Sequence, residues 1–156
     1  MFRLNRLTDY AVVVMSQMSL RGEELRSAQQ ISDDTAVPLP TVSKLLNLLG
    51  RAGLVTAQRG AAGGYTLSRS PEQISVAQII QALEGPIALT ACVDGAAESC
   101  DVESLCPMRG NWNKVNAAIH DALTSVSLAD MSNFSGAFGM PPAPEPAPLR
   151  PDRELQ

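Results

Sequence analysis

The three cysteines of this 156-residue chain, Cys92, Cys100 and Cys106, fall within one short window. Thiolates bind metals and iron–sulfur clusters and also react with other thiols. Structural zinc sites usually hold cysteines in close C-x2-C pairs, and the sequence has no such pair. The wide spacing, in a stretch rich in Gly, Ala, Asp and Glu, instead favours an iron–sulfur cluster, whose irons take separate thiolates. Such clusters usually take four protein ligands, so three cysteines leave the fourth ligand to another residue.

Other uses of the cysteines stay open on spacing alone. A reversible disulfide switch fits thiols that lie close together in the chain. Free structural thiols fit less well, because a polar loop does not bury them. A cysteine hydrolase has little support, since His120 is the only histidine and no oxyanion loop is evident. An odd cysteine count does not suggest a secreted disulfide framework, so we expect a cytoplasmic protein.

The elements ahead of the cysteines follow the order of a winged helix-turn-helix. We expect a first helix capped by Thr8 that runs to about Arg21, and a short second helix after Ser27. Pro40 suits the first turn of a third helix, where its missing N–H costs nothing. That helix is predicted to end near Gly53.

Two short strands and one more helix complete this region. Segments 54–58 and 65–68 read as strands, and the glycine-rich stretch 59–64 reads as the hairpin loop between them. Ser75 and Gln78 match a capping box that opens a further helix, which Gly85 stops. The pattern predicts a mainly α fold, a winged helix-turn-helix with a two-stranded wing. In such a unit the third helix lies in the major groove of DNA.

Candidate DNA contacts lie on the polar face of the third helix and in the wing. Lys44 and Arg51 suit phosphates, whereas Ser43 and Asn47 are short enough to read base edges. Arg59 could enter a narrow minor groove, although the wing sequence alone also fits an ordinary hairpin turn. The predicted DNA-contacting residues are Ser27, Pro40, Thr41, Ser43, Lys44, Asn47, Arg51, Arg59, Gly60, Gly63, Gly64 and Tyr65.

Charge separates the two halves of the chain. The net charge is −4, which by itself argues against nucleic acid. Residues 1–70 nevertheless carry eight Lys and Arg against five Asp and Glu, while residues 71–156 carry four against eleven. Because phosphate neutralisation is local, the N-terminal half can still bind DNA. No apolar run approaches the roughly 18 to 20 residues of a membrane span, so no membrane partner is expected.

An apolar seam follows the cysteine window. Its members recur at alternating spacings of three and four residues, as in a coiled coil. We expect a dimerisation helix here, and the alternative is an amphipathic helix lying on its own domain. The seam residues are Trp112, Val115, Ile119, Ala122 and Val126. The predicted organisation is a DNA-binding domain at 1–86, a cluster loop at 87–106, the dimerisation helix at 107–131 and a Pro-rich disordered tail at 132–156.

Four stretches together resemble a known family. They are Leu7-Thr8-Asp9-Tyr10-Ala11, the stretch 39–49, the wing at 58–67 and Cys106-Pro107-Met108-Arg109-Gly110-Asn111-Trp112. In these and in the three cysteines the chain is similar to the winged-helix regulators of iron–sulfur cluster assembly, a family that includes nitric-oxide-sensing repressors. The likeness is greatest to the regulators of the Suf assembly operon. It covers about residues 1–131.

The resemblance implies a homodimer on a palindromic operator, with a 2Fe-2S or 4Fe-4S cluster held by the three cysteines of each subunit. Arg109 stands where the Isc-type regulator has a histidine ligand, and a guanidinium cannot ligate. Asp9 matches the position from which the nitric-oxide sensor supplies a carboxylate to the cluster of the partner subunit. The other interpretation of Asp9 is a carboxylate that favours a helix N-terminus. His120 is a weaker candidate, since it lies well along the following helix.

The expected function is therefore a DNA-binding regulator, most simply a repressor of iron–sulfur assembly genes, and not an enzyme with a small-molecule substrate. One alternative is a nitric-oxide or redox-sensing repressor of the same fold. An alternative of another class is an iron–sulfur carrier or redox-thiol protein with no promoter of its own.

Overall fold

The computed structural model describes residues 4–96 and 111–132 and shows a mainly helical protein with one two-stranded sheet. The predicted mainly α winged helix-turn-helix with its two-stranded wing is confirmed. The elements in chain order are α1 (Arg6–Ser19), α2 (Ala28–Thr35), α3 (Leu39–Arg51), β1 (Val55–Gln58), β2 (Gly64–Leu67), a 3₁₀ turn (Pro71–Gln73), α4 (Val76–Glu84), α5 (Asn111–Thr124) and α6 (Leu128–Ser132).

Helix α1 begins earlier than the sequence suggests. Asn5, not Thr8, is the N-cap, because its side-chain oxygen accepts a hydrogen bond from the Leu7 amide at 3.0 Å. Thr8 is fully buried, and its hydroxyl donates to the carboxylate of Glu84 at the end of α4. The same carboxylate oxygen accepts from the Asn5 amide at 3.0 Å. Glu84 therefore ties the start of α1 to the end of α4.

Local capping and the burial of apolar side chains both stabilise the helix-turn-helix. Ser27 caps α2 through a complete capping box with Gln30. Helix α3 carries Pro40 in its first turn, as predicted, and its inner face is entirely apolar. That face is buried at Val42, Leu45, Leu46 and Leu49. The outer face of α3 is consequently left to polar side chains.

The wing is a short antiparallel hairpin in which Val55 pairs with Leu67 and Gln58 with Gly64. The outer edge of β2 also pairs with the segment before α2, because the amides and carbonyls of Arg26 and Tyr65 exchange hydrogen bonds of 3.1 and 2.8 Å. A Cβ at Gly64 would lie 2.9 Å from the Arg26 backbone. This close approach requires glycine at position 64. The pairing with Arg26 attaches the wing to the helical core.

The core of the winged helix includes residues from beyond the cysteine window. Leu128 is fully buried in the same apolar cluster as Val14, Leu45 and Ile79. Its amide donates to the Ile74 carbonyl at 2.7 Å. Helix α6 packs along α1. The hydrophobic core of residues 1–86, the predicted DNA-binding domain, therefore also includes residues that follow it in the chain.

Helix α5 is shorter than the predicted dimerisation helix. It ends at Thr124 rather than at 131, and positions 107–110 lie outside the described residues. The reason is a second cap: the Ser127 amide and hydroxyl donate to Asp130 Oδ2 at 2.8 and 2.6 Å, and the Asp130 amide donates back to the Ser127 hydroxyl. These bonds lower the pKa of Asp130. The Val126 carbonyl is meanwhile used by the Val76 amide, so the seam cannot continue as one helix.

Candidate nucleic-acid interface and thiolate site

One stripe of α3 points away from the core. Pro40, Lys44, Asn47 and Arg51 follow each other at spacings of four, three and four residues and are all exposed. Asn47 donates to the Ser43 carbonyl at 3.0 Å, which leaves its amide oxygen open to a ligand. The stripe offers two cations and one short amide in a row, the residue types that contact phosphates and base edges.

The cations of this surface differ from Arg21 and Arg26 of the same domain. Within the described part of the chain, Lys44, Arg51 and Arg59 form no ion pair with another described residue, whereas Arg26 contacts Asp34 at 2.6 Å and Glu24 at 3.1 Å. Arg59 and Gly60 are exposed at the tip of the wing. The outer stripe of α3 and the tip of the wing therefore carry positive charge that no described carboxylate neutralises.

Several residues predicted to contact DNA are instead partly buried or engaged in contacts within the protein. Gly64 is buried against Arg26, and a Cβ at Gly63 would collide with the Gln58 carbonyl oxygen. Tyr65 is partly buried and packs on the core. Ser27, Thr41 and Ser43 are partly exposed, and the Ser27 hydroxyl is engaged in its capping box. Leu48 is half-buried.

Cys92 is the cysteine that the structure describes, since Cys100 and Cys106 lie outside the described residues. It is a free, partly exposed thiol, and its sulfur lies 3.2 Å from the Thr90 hydroxyl. No group of three or more His, Cys, Asp or Glu side chains converges within residues 4–96 and 111–132. A free, accessible thiol of this kind fits the thiolate donor that an iron–sulfur cluster requires.

The backbone on both sides of Cys92 is attached to α5. Asn116 bonds the backbone of Ile87 and Leu89, and Asn113 bonds that of Asp94. Neither asparagine was singled out from the sequence. A signal was present, because asparagine is a weak helix former whose side chain competes for backbone groups, and two of them occur three residues apart within the seam.

Asp9 lies exposed in the first turn of α1 and lines two surface hollows. One hollow, of about 430 Å³, runs along α1 beside Val13, Leu20 and Met131. Within the described part of one protomer, no hydrogen bond or ion pair joins Asp9 to Cys92. His120 contacts Thr124 and Asp121 on its own helix.

The predicted seam is divided between two surroundings. Ile119 packs on an apolar cluster built around α4, and Val126 joins that cluster from beyond the end of α5. Trp112 and Val115 are 41 and 45% exposed, and Ala122 is exposed as well. Ile119 and Val126 of the seam therefore pack on the chain's own α4 cluster, while Trp112, Val115 and Ala122 present apolar groups to the outside.

Comparison with known proteins decides the family. Residues 4–133 match the family model of Rrf2, the iron-dependent transcriptional regulators. The chain belongs to the Rrf2 family. It is 28% identical over 130 residues to the transcriptional regulator NsrR of Bacillus licheniformis, an alignment that covers 83% of this chain and 91% of that protein.

Solved Rrf2 structures show the same architecture. The structure of CymR, the global cysteine regulator of B. subtilis, has a TM-score of 0.66 at 29% identity and covers 85% of this chain and 97% of its own. IscR of T. potens has a TM-score of 0.61 at 30% identity, with 83 and 85% covered.

These relatives are transcriptional regulators and not enzymes, and this Rrf2 chain is a transcriptional regulator of the DNA-binding kind. None of its described helices has the length and apolar character needed to cross a bilayer.

Proposed function

We propose that this Rrf2 regulator represses iron–sulfur cluster assembly genes, most simply a Suf-type operon, and reads iron–sulfur status through a 2Fe-2S or 4Fe-4S cluster held by Cys92, Cys100 and Cys106. The observation that carries the proposal is Cys92 itself. Its thiol is free and accessible, and it lies between two backbone anchors on α5. A bound cluster supplies a group that iron supply, oxygen or nitric oxide can alter.

The DNA side of the proposal rests on the free cations. Lys44 and Arg51 neutralise phosphates, Asn47 reads a base edge, and Arg59 extends the contact from the wing into the adjacent minor groove. A homodimer then binds a palindrome with half-sites about one helical turn apart. The exposed apolar groups of α5, Trp112 and Val115, are the surface that pairs with the second copy.

The fourth ligand is proposed to be Asp9 of the opposite subunit. Asp9 is exposed on a helix whose neighbouring surface includes the apolar side chains of Val13 and Leu20. An exposed carboxylate beside apolar surface is placed to meet a second copy of the chain. Its removal should weaken cluster retention without changing the fold, because Asn5 provides the cap of α1.

The direct test is purification without oxygen, followed by measurement of iron, acid-labile sulfide and the visible absorption spectrum. The wild-type protein should contain both elements and absorb in the visible range, and a triple Cys→Ala variant should contain neither. Asp9→Ala should lose its absorbance faster than wild type when a chelator is added, while Asp33→Ala, an exposed acidic control on α2, should not. Each protein is then titrated against the region upstream of its own gene cluster.

The proposal fails if wild type carries neither iron nor sulfide and the triple variant binds that DNA unchanged. Protein that carries a cluster but binds DNA with no sequence preference would instead indicate an iron–sulfur carrier. Asp9→Ala with wild-type retention would remove only the ligand assignment.

A second candidate is a thiol-redox repressor of the same fold. It is favoured by the likeness to CymR, described as a global cysteine regulator, at the higher TM-score of 0.66. The thiols of this chain would then change DNA affinity by forming a disulfide, and the metal-free protein would respond to oxidant. A chelator distinguishes the two, since it removes the response of a cluster sensor and leaves that of a disulfide switch.

A further inference from the structure

Asn116 holds the backbone ahead of Cys92 with both ends of its amide. Its Nδ2 donates to the Ile87 carbonyl at 2.9 Å, and its Oδ1 accepts from the Leu89 amide at 3.0 Å. The bonds are partly buried, and the Ile87 side chain packs into the cluster around α4. The two bonds fix both the distance and the orientation of this segment relative to α5.

Asn113 does the same on the far side of Cys92. Its Oδ1 accepts from the Asp94 amide at 3.1 Å, and its Nδ2 donates to the Asp94 carboxylate at 2.9 Å. Between the two anchors the chain makes a tight turn, since the Val93 amide donates to the Thr90 carbonyl. Cys92 therefore lies in a short turn held at both ends by neighbouring positions of one helix.

The same helix also carries apolar side chains that are left exposed. Ile119 and Leu123 pack α5 against α4, whereas Trp112 and Val115 remain exposed. Asn113 lies next to Trp112 in the chain, and Asn116 next to Val115. A displacement of the Cys92 turn must consequently either break the asparagine bonds or move the part of α5 that carries the exposed apolar groups.

We propose that Asn113 and Asn116 are positioning residues, which hold Cys92 in the geometry for its ligand and transmit a change at the thiolates to α5. This inference rests on the proposed function for the identity of the ligand, the cluster. Partners that orient ligating groups typically matter about 10- to 100-fold for metal retention. Hydrogen bonds with discrete partners also make the linkage either intact or broken, as a switch requires.

The test compares Asn113→Ala and Asn116→Ala with Lys114→Ala, which removes an exposed side chain between them. Asn116→Asp is a fourth variant, which keeps the acceptor for the Leu89 amide but sets a carboxylate oxygen against the Ile87 carbonyl. Circular dichroism of each full-length protein checks that the helices form. In metal-free protein, hydrogen exchange at the 87–94 segment and the alkylation rate of Cys92 are followed by mass spectrometry.

In metal-free protein, the three asparagine variants should exchange the 87–94 amides and alkylate Cys92 several-fold faster than wild type and Lys114→Ala. After anaerobic cluster loading, they should lose the cluster to a chelator about tenfold faster or more. The ratio of DNA affinities between loaded and metal-free protein should fall toward one, because the signal no longer reaches α5.

Wild-type exchange and alkylation rates in the asparagine variants would overturn the positioning role. Faster rates combined with an unchanged affinity ratio would overturn the transmission to α5. If wild type takes up no cluster, the proposed function fails by itself, and the metal-free measurements still decide whether the asparagines position Cys92.

Discussion

At the scale of single residues, ion pairing distinguishes the cations of α3 from Arg21 and Arg26. Arg26 is bound to Asp34 and Glu24, and Arg21 lies 3.8 Å from Asp34. Lys44 and Arg51 share the outer stripe of α3 and have no such partner among the described residues. An unpaired cation exchanges its solvent ions for a phosphate without first breaking a contact inside the protein.

Lys44→Ala and Arg51→Ala should each weaken DNA binding about equally on all sequences and make the dependence of log K on log salt shallower by about two, since each removes one phosphate contact from each subunit of the proposed dimer. Arg21→Ala should leave the slope unchanged, because that side chain is already near Asp34. Fluorescence anisotropy over a range of salt concentrations measures the slopes. Equal slopes for Lys44→Ala and wild type would remove Lys44 from the interface.

At the scale of elements, the sequence predicts those parts that local chemistry determines. The short helix after Ser27, the capping box at Ser75, the stop at Gly85 and the apolar face of α3 all require only neighbouring residues, and the structure confirms them. The prediction that Thr8 caps α1 is wrong. The Thr8 hydroxyl is buried and bonds Glu84, which lies 76 residues away in the chain. Tertiary partners of this kind are not visible in a local pattern.

The end of α5 shows a second reason for error. The spacing of apolar residues continues through Val126, but Ser127 and Asp130 form a cap that starts a new helix. The motif is readable as Ser-x-x-Asp, yet the periodic seam obscured it. The asparagines that anchor the Cys92 turn were missed because they bind backbone outside their own helix.

Gly64→Ala should destabilise the protein by about 1–3 kcal/mol. The added methyl group would lie 2.9 Å from the Arg26 backbone, so either β2 or the segment before α2 must shift. Ala61→Ser, at the exposed tip of the wing, is the matched control and should change stability little. Urea unfolding followed by circular dichroism gives both values. Unchanged stability in Gly64→Ala would show that β2 and the Arg26 backbone are far enough apart to accept a methyl group.

At the scale of the whole molecule, α5 carries both packed and exposed apolar residues. Ile119 and Leu123 pack on the cluster of α4, whereas Trp112 and Val115, in the first half of the helix, are exposed. The proposed homodimer on a palindrome needs its two-fold axis to lie on a surface distinct from α3 and the wing. The exposed apolar residues of α5 meet that requirement.

Val115→Asp should shift the protein from dimer to monomer and reduce its affinity for a two-half-site operator, because a buried unpaired charge at an interface is costly. Ala117→Asp introduces the same charge at an exposed position elsewhere on α5 and should leave the dimer intact. Sedimentation velocity reports the oligomeric state. A wild-type protein that is monomeric at micromolar concentration would contradict the dimer.

Leu128 also has a consequence for how the protein is made. The core around α1, α3 and α4 is complete only when this side chain has been added, and the residue lies after all three cysteines in the chain. A ribosome-bound chain that ends before Leu128 lacks part of that core, although every residue of α3 and the wing has already been made. The order of synthesis therefore places the cysteine window in the chain before the core behind α3 is complete.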